Sequence, residues 1–138
     1  MNVTWKGDMA FEAVGDSGVN FTMDTYPEHG GNNTGPTPVE ALMASLAACS
    51  AMDVISILKK KRQEVTGYRI EVSGDRNPPG EWPRPFKSFK VVHIVEGPNL
   101  DEAAVARAVE LSDEKYCTVV STLREQPEVV SEYRIEKP

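Results

Sequence analysis

An α+β fold, with its helices collected on one side of antiparallel sheet, is predicted by two patterns in this 138-residue sequence. Short runs of β-branched and aromatic residues alternate with glycine-containing turns in residues 1–25, a pattern typical of strands. A much longer apolar run, residues 38–58, lies between helix start and stop signals. The predicted order is three strands, a long helix, two strands, two helices and a last strand. The length favours a single domain over residues 1–138.

The N-terminal strands are predicted as a meander, at residues 3–5, 10–14 and 19–23. In the third strand, Val19, Phe21 and Met23 alternate with polar residues, which predicts one buried face. Residues 26–37 are rich in glycine, asparagine and proline and therefore form a loop. Its glycines serve turns, since the spacing and the lysine of a phosphate-binding loop are missing.

The long helix is predicted from its ends as well as its body. Thr37 suits the N-cap, Pro38 the first helical position, and Glu40 the third position of a capping box. The basic run at residues 59–62 complements the negative pole of the helix dipole. Because the body is apolar on almost every side, it is expected in a core or a membrane. Asp53 and several serines within it disfavour the membrane.

The second half of the chain predicts a long hairpin followed by two helices. The hairpin strands are expected near residues 65–73 and 86–95. The next helix is expected to use Asn99 as its cap, and its buried stripe runs from Ala104 to Leu111 or Ser112. A short helix at residues 116–123, stopped by a proline, and a last strand at residues 129–135 complete the prediction.

Composition excludes some classes of function. A formal charge of −6 argues against nucleic acid as a partner, because phosphate binding needs a concentrated basic surface. The first residues carry no basic stretch followed by an apolar run, so no secretory signal is visible and a cytoplasmic location is expected. The chain contains two cysteines, which cannot form a disulfide framework and are either packing residues or a working thiol pair.

The cysteines are the candidate reactive residues, and the residues alone leave their role open. Cys49 lies among alanines in the long helix, where it could be an apolar filler or a thiol activated by a group elsewhere in the fold. Cys117 lies between two predicted helices, where first-turn amides could stabilise a thiolate. His29 and His93 lack the paired spacing of a zinc site with these cysteines, so no metal is expected. A cysteine hydrolase would need an oriented histidine, and His93 fits a structural role in a strand.

Two segments resemble the OsmC/Ohr family of osmotically inducible and organic-hydroperoxide-resistance proteins. These are the run from Gly30 to Val54, with its Gly-Pro-Thr-Pro entry and Ala-Ala-Cys core, and the run from Lys115 to Leu123, with its Tyr-Cys pair. The resemblance implies an intertwined homodimer with the long helix buried at the interface, beside each active site. It implies no metal, flavin or haem.

The resemblance also implies roles for both cysteines. Cys49 would be the peroxidatic thiol that becomes a sulfenic acid, and Cys117 would resolve it as a disulfide. An external dithiol would then reduce the disulfide. The implied substrate is a small peroxide, and the implied context is oxidative or osmotic stress defence.

The chain departs from the family pattern at two points. Family peroxidases pair the reactive thiolate with an arginine from the N-terminal part and with a glutamate, but this chain has no arginine before Arg62. Val39 occupies the position of that glutamate, and Glu40 is one residue later, a rotation of about 100° on the helix. The rotation predicts that Glu40 faces away from Cys49 and serves as part of the cap, whereas the family resemblance alone implies a catalytic role for it. A cation for Cys49 would have to come from Arg76, Arg84 or another residue of the hairpin, or from the partner subunit.

Three functions follow from these observations. The first is a cysteine peroxidase acting through Cys49, Cys117 and Glu40. The second is a non-catalytic dimeric protein that holds a small apolar or acylated ligand, with structural cysteines. The third is a cysteine hydrolase or acyl-transfer enzyme, which needs a basic partner near Cys49.

Overall fold

The computed structural model describes residues 1–138 and contains the predicted mixture of strands and helices. The strands are β1 (Asn2–Gly7), β2 (Ala10–Val14), β3 (Asn20–Met23), β4 (Gly67–Arg76) and β5 (Phe86–Glu96). The helices are α1 (Pro38–Lys60), α2 (Glu102–Leu111) and α3 (Thr118–Glu125). A short 3₁₀ turn, Pro27–His29, precedes α1, and a π-helical turn, Ser112–Tyr116, joins α2 to α3.

The chain divides into two compact units. The first comprises Met1–Ala48 and Arg69–Ile94, and the second comprises Cys49–Tyr68 and Val95–Pro138. Each unit is thus built from two separate stretches of chain. The expectation of one domain over residues 1–138 stays a prediction.

The first unit contains the predicted antiparallel meander in the order β1-β2-β3. Val3 lies opposite Ala13, and Ala13 lies opposite Phe21, so the central strand is paired along both edges. Ala13 is buried, but Phe21 and Val19 are exposed, so the prediction of one buried face on β3 was wrong within the single chain. Apolar and polar residues do alternate along β3, but no other part of the single chain covers the face that carries Val19 and Phe21.

The loop before α1 is organised by a buried carboxylate. Asp24 accepts hydrogen bonds from the backbone N–H groups of Thr25 (2.8 Å), Asn32 (3.2 Å) and Thr34 (3.1 Å), and from the Thr34 hydroxyl (2.6 Å). Gly31 fits against this turn because a Cβ there would lie 2.1 Å from the carbonyl oxygen of Thr25. The loop glycine therefore has the structural role predicted, permitting close backbone approach.

Helix α1 begins and ends as its sequence predicts. The Glu40 N–H donates to the Thr37 hydroxyl at 3.2 Å, which confirms Thr37 as the cap. At the other end Arg62 takes a left-handed conformation (φ 56°), and Gln63 N–H donates to the Leu58 carbonyl at 3.0 Å. Together with the bond from Arg62 N–H to the Lys59 carbonyl, this is a Schellman motif.

The burial of α1 is narrower than predicted. One stripe of residues four apart is buried, namely Leu46, Ser50, Val54 and Leu58. Met52 is 70% exposed, so the single chain does not bury the helix on all sides. By length and hydropathy α1 could cross a membrane, with 22% of its apolar window buried, but core helices of soluble proteins meet the same criterion.

The second unit has a hydrophobic core centred on α1 and α2. Val54, Leu58 and Ala108 are fully buried there, and the partly buried residues packed around them are Ile57, Val65, Tyr68, Val95, Val105 and Val109. Burial raises the pKa of Tyr68 to about 12, because an apolar setting disfavours the phenolate. The α2 cap is Asp101, whose side chain accepts from Ala103 N–H at 3.0 Å, and so the expectation of Asn99 was wrong.

The hairpin strands β4 and β5 form where they were predicted, but the last predicted strand does not form. Residues 126–138 have no regular secondary structure, and Tyr133 and Ile135 are each 87% exposed. A strand exists only where a neighbouring strand accepts its hydrogen bonds, and this segment has no such neighbour in the chain.

Candidate active site

The second unit contains both cysteines, and Cys117 is the more enclosed of the two. It is 3% exposed and occupies the cap position of α3, with an extended backbone (φ −75°, ψ 102°). Its Sγ accepts from Val120 N–H at 3.5 Å, and its own N–H donates to the Ser112 carbonyl at 2.8 Å. The predicted placement of this thiol at first-turn amides is therefore confirmed.

Cys49 lies in the middle of α1 and is half-buried. The Cys117 and Cys49 thiols are close enough to form a hydrogen bond with each other, although both are free and no disulfide joins them. The fold thus brings together two cysteines that are far apart in the sequence.

The pKa of Cys117 is raised, and the first cause is burial of its sulfur away from water. The Val120 N–H opposes the rise because it favours the thiolate. The hydrogen bond to Cys49, and negative charge on Cys49, raise the pKa further. These causes keep the proton on Cys117, so that its S–H can donate to the Cys49 sulfur.

Three polar side chains near the two cysteines, those of Ser50, Asp53 and Ser112, form a network that was not predicted from the sequence. The Ser112 hydroxyl lies 3.0 Å from Asp53 Oδ2 and 3.2 Å from the Ser50 hydroxyl. Ser112 is 0% exposed. The available signal was a serine at a core position of the α2 stripe, a place where an apolar residue is the ordinary choice.

Two clefts flank this region within the second unit. One, of about 300 Å³, lies beside Cys117 and is lined in part by Lys115 and Tyr116. The other, of about 410 Å³, is lined by Asp53, Ser56, Ile57, Lys60, Lys61, Leu111 and Tyr116. It combines apolar side chains with two lysines and one carboxylate, that of Asp53, and this lining of net positive charge suits an organic molecule with an anionic group.

Glu40 belongs to the first unit, where its contacts are those of a cap. Its Oε1 accepts from the Thr37 hydroxyl at 3.0 Å and from the Tyr26 hydroxyl at 3.3 Å. The negative charge of Glu40 is also the main reason why the pKa of Tyr26 is raised. The predicted contact of Glu40 with the cap residue Thr37 is confirmed, with the Thr37 hydroxyl as the donor to the carboxylate, whereas the catalytic role of Glu40 stays a prediction.

The hairpin arginines hold the end of β4 and β5 together. Arg84 Nε donates to the Asn77 carbonyl at 2.8 Å, and Arg76 Nε donates to the Arg84 carbonyl at 3.0 Å. Arg76 also stacks over the Phe86 ring, 4.8 Å from its centroid. Their structural contacts are thus within the first unit, and their supply of a cation to Cys49 stays a prediction.

The residues near the two cysteines offer no metal ligands in a cluster and no histidine base. Histidine, cysteine, aspartate and glutamate side chains form no group of three or more that could hold a metal ion. His29 and His93 both lie in the first unit, so the unit with the cysteines has no histidine. A histidine-assisted cysteine hydrolase has no base within that unit.

Comparisons with known proteins agree on one family. A sequence model described as OsmC-like protein matches residues 30–132. Protein YhfA of Escherichia coli strain K12 is 36% identical over 136 residues, which cover 96% of this chain and 95% of YhfA. The crystal structure of a hypothetical protein from Aquifex aeolicus VF5 superposes with a TM-score of 0.74 at 31% identity, covering 90% of this chain and 85% of that one.

A more distant structural match carries a functional name. The structure of an organic hydroperoxide resistance protein OsmC from Legionella pneumophila superposes with a TM-score of 0.56 at 14% identity. The match covers 88% of this chain and 91% of that chain. At this identity the likeness shows the shared fold alone.

Proposed function

Because this chain belongs to the OsmC-like protein family, we propose that it is a cysteine peroxidase that reduces organic hydroperoxides or hydrogen peroxide. The observation that carries the proposal is the contact between the Cys49 and Cys117 thiols. A half-buried thiol with a second thiol at hydrogen-bonding distance matches what two-step thiol oxidation requires.

In the first step, the Cys49 thiolate attacks the terminal oxygen of the hydroperoxide. An S–O bond forms, the O–O bond breaks, and the leaving alkoxide takes a proton and departs as an alcohol, or as water when the substrate is hydrogen peroxide. Cys49 is oxidised by two electrons to a sulfenic acid.

In the second step, the Cys117 sulfur attacks the Cys49 sulfenic sulfur, an S–S bond forms, and water leaves with the proton of Cys117. Burial raises the pKa of Cys117, so this thiol brings its own proton to the step. An external dithiol then reduces the disulfide by two electrons and is itself oxidised to a disulfide.

Mass spectrometry of the reduced protein treated with one equivalent of cumene hydroperoxide tests this function. We expect the loss of two hydrogens, and a peptide pair joining residue 49 to residue 117. Cys117→Ser should accumulate a dimedone-reactive sulfenic acid on Cys49, whereas Cys49→Ser should leave the peroxide unconsumed. An unchanged mass in excess peroxide would refute the proposal.

A second candidate function is ligand binding with structural cysteines, and the cleft containing Lys60 and Lys61 favours it. Its walls fit an apolar or acylated molecule with an anionic group. Under this function, replacing Cys49 with serine would leave retention of a fatty acid unchanged, and Lys60→Ala with Lys61→Ala would weaken it. Under the peroxidase proposal, the Cys49 variant loses all turnover.

The proposal includes a cytoplasmic homodimer. We assign the apolar surface of α1 to protein contacts, because Asp53 lies within the helix and core helices meet the same length and hydropathy criterion. Exposed apolar side chains occur in both units, including Trp5 and Phe21 in the first and Met52 in the second. Burial of such side chains against a second copy would remove them from water.

A further inference from the structure

We propose that Ser112 is the positioning residue for the step in which Cys117 resolves the Cys49 sulfenic acid. This inference rests on the proposed peroxidase function, but the juxtaposition of the two thiols is measurable without any peroxide. The hydrogen bonds of the Ser112 hydroxyl go to Ser50 and Asp53 and not to either thiol. It acts by holding together the two segments that carry them.

The main chain of Ser112 shapes the turn that carries Cys117. Ser112 N–H donates to the carbonyls of Ala108 and Val109 and so extends α2. Its own carbonyl then accepts from Cys117 N–H at 2.8 Å, five residues on, which closes a π-helical turn. Because this turn is wider than an α-helical one, the chain leaves helical geometry at Cys117 and starts α3 afresh.

The side chain of Ser112 fastens this turn to α1. Its hydroxyl donates to Asp53 Oδ2 at 3.0 Å, lies 3.2 Å from the Ser50 hydroxyl and is also 3.3 Å from the Ser50 carbonyl. Ser50 directly follows Cys49, and Asp53 is one helical turn beyond Cys49. One residue therefore bonds through its carbonyl to Cys117 and through its hydroxyl to the neighbours of Cys49.

The hydrogen bonds of the Ser112 hydroxyl lie in a buried part of the second unit, which makes their loss costly. Ser112 and Ser50 are 0% and 5% exposed, so water does not enter between these two hydroxyls. Replacing the Ser112 hydroxyl with hydrogen leaves a small gap and removes the tie to Asp53. The turn can then move relative to α1, and small displacements of reacting groups have large effects on rate.

The position of Cys117 matters because the sulfenic acid has two fates. It either condenses with the Cys117 thiol to give a disulfide and water, or it reacts with a second hydroperoxide molecule to give a sulfinic acid and an alcohol. The first fate is intramolecular, and its rate depends on how the two sulfurs are held. Holding Cys117 against Cys49 therefore protects Cys49 from overoxidation.

Kinetics of Ser112→Ala provide the first test. We expect the reaction of Cys49 with cumene hydroperoxide to change less than about twofold, while disulfide formation slows about tenfold. The fraction of Cys49 found as sulfinic acid at high peroxide should rise correspondingly. A merely structural serine would lower the melting temperature without separating these two steps.

Equilibration with oxidised dithiothreitol provides the second test and needs no peroxide. The reagent takes two electrons and two protons from Cys49 and Cys117 and becomes dithiothreitol, so the equilibrium measures the effective concentration of one thiol at the other. We expect about a tenfold decrease for Ser112→Ala. If the wild type does not consume peroxide but this decrease is observed, the peroxidase function is refuted, while Ser112 is still shown to hold the two thiols together.

Matched variants complete the experiment. Ser45→Ala removes a hydroxyl that bonds only within α1, to the Ala41 carbonyl, and should behave as wild type in both tests. Asp53→Ala removes the acceptor of Ser112 at a half-buried position and should give a smaller decrease of about threefold, which keeps the test available if Ser112→Ala does not fold. Wild-type resolution and effective concentration in the folded Ser112 or Asp53 variant would overturn the proposal.

Discussion

Cys117 combines three structural features at the level of a single residue. It caps α3 through its sulfur, its N–H closes the π-helical turn, and its thiol contacts Cys49. An ordinary cap residue uses a hydroxyl or carboxylate oxygen, which is a stronger acceptor than sulfur. A cysteine at this position is therefore better explained by its chemistry than by the stability it gives the helix.

Asp24 supports a prediction about acid stability. Hydrogen bonds, first among them that from the Thr34 side chain, lower the pKa of Asp24 from 3.8 to about 2. The folded protein therefore holds this carboxylate deprotonated at a pH where the unfolded chain binds a proton. The resulting stabilisation is complete above pH 3.8 and is lost as the pH falls through about 2.

We expect Asp24→Asn to lower the urea midpoint near pH 7 and to differ progressively less from wild type between pH 4 and pH 2, because asparagine does not titrate. Urea unfolding followed by circular dichroism at pH 7, 4, 3 and 2 measures this. Asp16→Asn, in an exposed turn, is the control and should match wild type throughout. A constant difference across all four pH values would contradict the prediction.

At the level of elements, α1 shows which predictions local sequence supports. Thr37 and Arg62 set its two ends through hydrogen bonds to nearby backbone, and such contacts need only residues close in sequence. At α2 the cap predicted from local sequence, Asn99, was wrong, and the cap is Asp101. Both are good cap residues two positions apart, and it is the Asp101 side chain that accepts from the Ala103 N–H.

The α1 cap can be tested by Thr37→Ala, which we expect to lower the free energy of unfolding by about 1 kcal/mol. The loss arises because the Glu40 N–H has no other partner in the first turn of the helix. Equilibrium urea unfolding gives the value. Thr122→Ala, at an exposed position within α3, removes a threonine that is not a cap and should change the free energy by less than about 0.5 kcal/mol. Equal losses in the two variants would argue against the cap.

At the scale of the whole molecule, the chain leaves apolar surface uncovered. Met52 on α1 and Trp5 on β1 are 70% and 64% exposed. The C-terminal segment, with Val129, Tyr133 and Ile135 exposed, has strand-like alternation and no partner strand in the chain. The proposed homodimer would give these side chains a place away from water.

Met52→Asp tests the homodimer. In an isolated chain this exposed position tolerates a charge with little effect, whereas at a subunit interface an unpaired carboxylate would be buried. We expect wild type to sediment at twice 15.2 kDa at micromolar concentration. The dimer dissociation constant of the variant should be at least about tenfold higher. Ser131→Asp, in the exposed C-terminal segment, controls for added charge. A monomeric wild type would refute the dimer.

The sequence by itself determined the order of the elements as far as α3, the N-terminal cap of α1 and the identity of the two cysteines, because these depend on periodicity, local hydrogen bonding and recognisable motifs. Only the tertiary structure decided that the two thiols meet and that Ser112 joins their segments. It also decided which stripe of α1 is buried and that residues 129–135 have no partner strand. Those features depend on contacts between residues remote in sequence, and an apolar helix or an alternating strand does not specify what lies against it.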